Sequence, residues 1–128
     1  MSKSFVKKFL SYAGFTVNYS DDLELIFNDK VYNITVKTDN FSQYSNYIAI
    51  GEIKSKLYAL VVMDDKHETL WLVKTRFLKK FIEENPGIEK DYNGGKIQLF
   101  KYDKLLPVFT RLDNLFKEDV FKKVKQLL

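Results

Sequence analysis

The sequence predicts a single α/β domain, residues 1–128, in which helices flank a mixed central β-sheet. Three observations lead to this prediction. Segments with the helical spacing of apolar residues alternate with segments that have the two-residue period of strands. The longest apolar run, "LYALVVM" (Leu57–Met63), has the length of a central strand buried on both faces. The composition, 45% hydrophobic and 16% aromatic over 128 residues, suffices for one core.

The first predicted element is an amphipathic helix in "SKSFVKKFLSYAGF". Ser2 or Ser4 can cap its beginning, and Gly14 is a typical residue for its end. Its apolar face consists of Phe5, Phe9, Leu10 and Ala13.

A β-hairpin follows in "DLELIFNDKVYNITVKT", with its turn at Asn28–Lys30. Side chains alternate between the two faces of a strand, so each arm of the hairpin has an apolar side and a polar side. The polar side gathers Asp22, Glu24, Thr35 and Lys37.

Residues 42–56 allow two interpretations. The apolar spacing fits a helix over this whole segment. The alternation of Ile48 and Ile50 instead fits a strand over residues 47–53. Periodicity does not decide between the two, and both stay open.

The middle of the chain predicts two buried strands in "LYALVVMDDKHETLWLVK", joined by a turn at Asp64–Glu68. Thr75 is expected to cap the next helix, "RFLKKFIEE", which ends at Asn85–Gly87. The side chains expected to face inward from this helix are Phe77, Leu78, Phe81 and Ile82.

The end of the chain predicts a turn at Asn93–Gly95, the strand "KIQLFKY" and a C-terminal helix over Arg111–Leu128. The apolar stripe of this helix consists of Leu112, Leu115, Phe116, Val120, Val124 and Leu127.

The composition narrows the classes of function. The absence of cysteine excludes disulfides and cysteine-ligated zinc, and the single histidine, His67, has no second histidine to share a transition metal. No P-loop or dinucleotide-binding motif occurs. The sequence shows no signal peptide or membrane span, so we expect a cytoplasmic protein without a membrane partner.

The basic residues suggest a partner. The net charge of +4 and pI near 9.1 are compatible with nucleic acid and equally with a lysine-rich soluble surface. Basic residues cluster around the beginning of the predicted middle helix, at Lys74, Arg76, Lys79 and Lys80. Such a cluster is either a solvated face or a surface that follows a phosphate backbone, and we predict nucleic acid, with DNA favoured.

The polar side of the hairpin has part of the chemistry of a metal-dependent nuclease. Phosphodiester hydrolysis with Mg²⁺ needs carboxylates that hold the cation. It also gains from a lysine that acts on the attacking water and stabilises the developing charge. Asp22 and Lys37 are suitably arranged, but Thr35 stands where a second carboxylate is expected.

Residues 3–38 resemble the beginning of PD-(D/E)xK, or restriction-endonuclease-like, nuclease domains. In that family an amphipathic helix ends in Gly-aromatic, an extended stretch leads to an Asp, and the second strand of a hairpin carries Glu/Gln-x-Lys. This chain has "FLSYAGFTVNYSDDLELIFNDKVYNITVKT". The resemblance implies that Asp22 binds Mg²⁺, that Lys37 is catalytic and that Thr35 occupies the second catalytic position. It also implies a homodimer.

The threonine leaves several alternatives. Thr35 cannot supply the negative charge that a hard cation prefers, but Glu24 can act with Asp22 as the second metal ligand. If residues 47–53 form a strand, "GEIK" offers a second site in Glu52 and Lys54, with Asp39 upstream.

A third alternative is that metal binding is lost and the fold survives as a binding scaffold. The same side chains also fit a solvated hairpin face, on which Asp22 and Glu24 pair with Lys37 or Lys30 across the strands.

The sequence therefore predicts a nucleic-acid-processing or nucleic-acid-binding protein of restriction-endonuclease-like type, and leaves catalysis open. The alternative belongs to another class. It is a catalytically inactive protein–protein interaction module, such as a small inhibitor or adaptor encoded by a phage or mobile element.

Overall fold

The computed structural model describes residues 2–40, 46–64 and 67–128. In these residues the elements are α1 (Ser2–Tyr12), β1 (Thr16–Tyr19), β2 (Leu23–Phe27), β3 (Lys30–Asn40), β4 (Tyr47–Ile50), β5 (Leu57–Asp64), β6 (His67–Lys74), α2 (Thr75–Glu84), β7 (Ile88–Tyr92), β8 (Gly95–Lys101), α3 (Tyr102–Leu105), a 3₁₀ turn (Leu106–Val108), β9 (Thr110–Arg111) and α4 (Lys117–Leu127).

The strands form two sheets. The larger has six strands in the order β1-β2-β3-β5-β6-β9, and the smaller has three in the order β4-β8-β7. In the larger sheet β3 and β5 are parallel and the other neighbours are antiparallel, so the sheet is mixed. These features, together with the C-terminal helix, confirm the predicted α/β class.

Helices lie on both faces of the larger sheet because its central strand is apolar on both faces. Consecutive residues of β5, such as Ala59 and Leu60, point to opposite faces of the sheet and are buried in different hydrophobic cores. The first core includes Leu10 of α1 and Val124 of α4. The second includes Leu78 of α2, with side chains of α3 and of the smaller sheet. Burial on both faces is why the run at Leu57–Met63 has no polar alternation.

The predicted hairpin is confirmed. Asn28 and Asp29 have φ angles of 51° and 63°, which asparagine and aspartate tolerate better than most residues, and these two residues turn β2 into β3. Leu23 pairs with Ile34, and both are buried in the first core. The opposite side of β3 faces the second core, since Thr35 and Lys37 are in register with residues of β5 that are buried there.

The helix interpretation of residues 42–56 is wrong over the part that the structure describes. Residues 47–50 form β4, which pairs with β8 and buries Ile48 and Ile50. This strand is shorter than the predicted 47–53, because the segment from Gly51 onward leaves the sheet. Residues 42–45 lie outside the described residues.

Two expectations about α2 are wrong. Thr75 is the first residue of the helix, and Lys74 is the N-cap, without a side-chain cap hydrogen bond. Phe77 is 48% exposed, whereas Leu78, Phe81 and Ile82 pack against the second core as expected. A helix that rests on a sheet buries only a narrow stripe, and Phe77 lies beyond its edge.

The C-terminal helix begins at Lys117 and not at Arg111. Residues Thr110–Arg111 pair with β6 as β9, and Leu112 N–H donates to the carbonyl of Leu70. The Asp113 carboxylate accepts the N–H of Leu70, so this segment is fixed to the sheet edge before the helix starts. Phe116, predicted to be apolar core, is 80% exposed.

The first helix and the strand near residues 96–101 were predicted, whereas β1, β7, α3 and the 3₁₀ turn were not. Val6 and Leu10 are buried on α1, and Gly14 has a φ of 113° after its end. The turn between β5 and β6 is shorter than Asp64–Glu68, because Asp64 pairs with His67; residues 65–66 lie outside the described residues. None of the described helices is long and apolar enough to cross a membrane.

Candidate functional site

Asp22, the predicted metal ligand, lies immediately before β2 and is engaged by two partners. Its Oδ2 accepts the N–H of Val36 at 2.9 Å. Its Oδ1 lies 2.8 Å from the Nζ of Lys3, which also donates to the carbonyl of Asp21. The carboxylate thereby ties the beginning of α1 to β3 at Val36, two residues beyond Ile34, where the β2–β3 ladder ends.

These partners control the charge of Asp22. Partial burial raises the pKa of its carboxyl, but the hydrogen bonds from Lys3 and Val36, with the positive charge of Lys3, outweigh burial and leave the pKa below 3.8. The group is therefore ionised at neutral pH. Both carboxylate oxygens therefore already have partners within the protein, which a metal ion would have to share.

Thr35 also has a local partner. Its hydroxyl donates to Ser55 Oγ at 2.7 Å, and the Ser55 hydroxyl donates to the carbonyl of Leu57 at 2.7 Å. Asp22 and Thr35 line one cleft of about 470 Å³, together with Lys54. The structure therefore brings these two predicted site residues to one place.

Lys37 and Glu24 do not line this cleft. Lys37 lies two residues beyond Thr35 on the same side of β3. Glu24 lies on β2, where it pairs with Asn33 of β3. Both side chains are half-buried. No group of three histidine or acidic side chains that could hold a metal occurs within the part of the chain that the structure describes.

Asp39 belongs to the same polar row, and the sequence-based site did not include it there. It follows Lys37 by two residues on the same side of β3. Burial raises the pKa of the Tyr58 hydroxyl, and the charges of Asp39 and then Asp22 raise it further. Burial, the charge of Asp39 and a hydrogen bond to Asp39 likewise raise the pKa of Tyr102. The two-residue alternation Thr35–Lys37–Asp39 was the signal that could have identified it.

The second site predicted in "GEIK" does not form in the way that the sequence required. It depended on a strand through residue 53, but β4 ends at Ile50. The side chains of Glu52 and Lys54 are 79% and 82% exposed and pair with each other at 3.9 Å. A surface pair of this kind contributes little to stability or to a site.

A second cleft, of about 500 Å³, is basic. Lys74, Arg76 and Lys79 line it, so three of the four predicted nucleic-acid-binding residues converge, whereas Lys80 does not line it. Lys30 and Lys56 also line it, and among the residues that the structure describes no Asp or Glu does. We call this feature the basic cleft.

The sheet topology explains this convergence. The parallel strands β3 and β5 both begin at the same end of the larger sheet. Strand β6 is antiparallel to β5 and therefore finishes at that end. Lys30, Lys56 and Lys74 come from these three strand ends, and the Thr75 N–H donates to the Lys56 carbonyl at 3.0 Å. Residues far apart in sequence therefore meet at the N-terminus of α2.

The basic side chains of this cleft are available for a ligand. Among the described residues none of the five forms an ion pair. Lys56 lies 5.5 Å from the ring centre of Tyr32, and Arg76 lies 5.5 Å from that of Phe77. Contacts with aromatic faces leave the positive charge unneutralised.

Comparison of the chain with models of known protein families found no match, and comparison with curated proteins also found none. The PD-(D/E)xK resemblance therefore stays a prediction that rests on residues 3–38.

Proposed function

We propose that this chain is a nucleic-acid-binding protein of restriction-endonuclease-like fold that holds phosphates of its ligand in the basic cleft. The observation that carries the proposal is the convergence of five cations, from three strand ends and one helix, on a single concave surface. Within the described part of the chain these cations form no ion pair, and no acidic side chain lines the surface. Such an arrangement attracts polyanions.

The chemistry of the cleft favours phosphate over a general anionic surface. Arginine and lysine together provide forked and point-charge donors for phosphate oxygens. The ring of Tyr32 lines the same cleft and offers a flat surface to a base or sugar. DNA remains the favoured ligand from the sequence, with RNA as the other arm of the test.

Cleavage of the bound strand is the second candidate. The charges of Asp39 and Asp22 both raise the pKa of the Tyr58 hydroxyl, and Lys37 lies on the same side of β3 as Asp39. Against a built metal site, Asp22 is bonded to Lys3 and Val36, and Thr35 donates to Ser55. These residues do not fit Mg²⁺ as they stand, and Mg²⁺ stays a prediction.

The binding proposal is tested by the salt dependence of affinity. Fluorescence anisotropy with labelled single- and double-stranded oligonucleotides is measured from about 50 to 200 mM salt, a range over which phosphate contacts weaken strongly. The test variant is Lys56→Gln/Lys79→Gln, which removes two cations from the cleft. The matched control is Lys90→Gln/Lys96→Gln, which removes two exposed cations from the smaller sheet.

The cleft variant is expected to lose affinity, and the slope of log K against log salt for duplex DNA to fall by about 1.8, or about 0.9 for each lost phosphate contact. The control is expected to keep the wild-type slope, although its net charge changes equally. Equal losses in both variants would mean that net charge alone attracts the ligand. Absence of wild-type binding at 50 mM salt would end the proposal and favour the protein–protein alternative.

Cleavage is tested separately. Purified protein is incubated with the bound oligonucleotide and Mg²⁺ or Mn²⁺, and Lys37→Ala is compared with Lys54→Ala, an exposed lysine at the cleft that Asp22 lines. Metal-dependent products that Lys37→Ala and Asp22→Ala abolish support catalysis. Catalysis is refuted if Lys37→Ala and Asp22→Ala give the same products as wild type, or if wild type gives no products.

The homodimer, the protein partner and the cytoplasmic location suggested by the sequence belong to this proposal as well. Light scattering with and without oligonucleotide tests the dimer, and co-purification tests the protein partner.

A further inference from the structure

The N-terminus of α2 lacks the cap that such an end normally has. Its N-cap residue, Lys74, makes no side-chain cap hydrogen bond. The N–H of Thr75 donates to the Lys56 carbonyl, but the next two, of Arg76 and Phe77, have no acceptor among the described residues. Free N–H groups at the positive end of a ten-residue helix attract an anion.

The Thr75 hydroxyl is a second, independent indication of a missing acceptor. Thr75 is 4% exposed, and its Oγ1 has no hydrogen-bond partner within the described ranges. Buried hydroxyl groups almost always have a partner, so each exception needs an explanation. Thr75 is one of the residues that line the basic cleft, and we take a ligand bound there as the source of the missing acceptor.

The surroundings fit a phosphate. Lys56, Lys74 and Lys79 line the same cavity, which at about 500 Å³ has the size of a pocket for a nucleotide. A carboxylate has two oxygens in a plane, whereas a phosphate presents oxygens in three dimensions. Donors that come from a helix end, a hydroxyl and several cations therefore match phosphate better.

We infer that the N-terminus of α2, with the Thr75 hydroxyl, is a seat for one phosphate group of a nucleic-acid strand. The inference deepens the proposed function and rests on it for the source of the phosphate. The basic side chains attract the strand from solution, and the seat fixes one phosphate by hydrogen bonds that survive at salt concentrations where long-range attraction is screened.

The first experiment uses inorganic phosphate as the probe. ¹⁵N-labelled protein is titrated and the amide signals of Arg76 and Phe77 are followed. Saturable shifts of these two signals are expected in wild type. Thr75→Val keeps the shape and removes the hydroxyl, and it is expected to weaken binding about tenfold, the loss of one hydrogen bond to a charged acceptor.

The control is Thr16→Val, which removes an exposed hydroxyl from β1 and is expected to bind phosphate as wild type does. Unchanged phosphate binding in Thr75→Val overturns the inference. So does titration without saturable shifts at the beginning of α2.

The second experiment separates the sources of the phosphate. Anisotropy compares one oligonucleotide with a 5′-phosphate, the same oligonucleotide with a 5′-hydroxyl, and inorganic phosphate as competitor. Weaker binding of both strands by Thr75→Val, with an unchanged salt slope, supports a seat for internal phosphates. A loss confined to the 5′-phosphorylated strand supports a seat for the strand end.

The outcomes also separate the inference from the proposed function. Oligonucleotide binding that Thr75→Val leaves intact overturns the seat and keeps the basic cleft. Saturable binding of inorganic phosphate without any oligonucleotide binding keeps the seat and overturns nucleic acid as its source.

Discussion

Asp22→Asn is the substitution that best separates a structural role of Asp22 from a purely catalytic one. In wild type the carboxylate accepts the Val36 N–H at 2.9 Å and lies 2.8 Å from Lys3 Nζ. Asparagine keeps an oxygen for Val36 but loses the charge that strengthens both contacts. A catalytic residue without a structural role would leave the stability unchanged.

The magnitude follows from these two contacts. A hydrogen bond to a charged group contributes about 1.5–3 kcal/mol, and a neutral one about half of that. The Lys3 side chain is 44% exposed, so solvent reduces its pairing to under about 1 kcal/mol. We expect Asp22→Asn to lower the free energy of unfolding by about 1.5 kcal/mol, which for a chain of this length lowers Tm by about 5 °C.

The loss depends on pH. Folding lowers the pKa of Asp22 below 3.8, so the folded state holds this proton less readily than the unfolded chain does. Its stabilisation is fully present above pH 3.8 and is lost as the pH falls through the lower pKa of the folded state. Denaturant unfolding at neutral and acid pH should therefore show a wild-type advantage that disappears in acid.

Asp21→Asn is the matched control, because the carboxylate of Asp21 is next to Asp22 in sequence but is exposed. We expect this substitution to change the free energy of unfolding by less than about 0.5 kcal/mol. Equal stability of Asp22→Asn and wild type at neutral pH, or a difference that persists unchanged in acid, would refute the structural role assigned to Asp22.

Two further predictions concern stability. Thr75→Val should raise the free energy of unfolding by about 1 kcal/mol in thermal denaturation, because it removes a buried hydroxyl that has no partner among the described residues; a lower Tm would show that the hydroxyl is satisfied within the fold. Gly87→Ala should lower stability by about 2 kcal/mol in denaturant unfolding, since its Cβ would lie 2.5 Å from the Leu99 carbonyl oxygen. Gly95→Ala, whose nearest contact is 3.7 Å, should have the smaller effect, and equal effects would contradict the close approach.

Local patterns predicted the elements in which one periodicity dominates. The hairpin followed from strand alternation around Asn28–Asp29, and the central strand followed from its uninterrupted apolar run. The predicted start of α4 at Arg111 was wrong, because Arg111 and Leu112 are hydrogen-bonded to β6, which is distant in sequence. Propensity within a window contains no information about such pairing.

The candidate sites show the same limit. Alternation placed Thr35 and Lys37 on one side of β3, but it could not show that Lys3 and Val36 engage Asp22. These partners come from a helix and a neighbouring strand.

Only part of the basic cleft could be predicted from the sequence. Lys74, Arg76 and Lys79 are close together in sequence. Lys30 and Lys56 reach the same cleft because β3, β5 and β6 have ends at the same end of the larger sheet.

The most direct test of the central claim is the salt slope of oligonucleotide affinity in the two double variants. The basic cleft predicts that Lys56→Gln/Lys79→Gln lowers the slope for duplex DNA by about 1.8, while Lys90→Gln/Lys96→Gln retains the wild-type value. Equal slopes in the two variants, or no binding by wild type, would contradict the claim that this cleft binds nucleic acid.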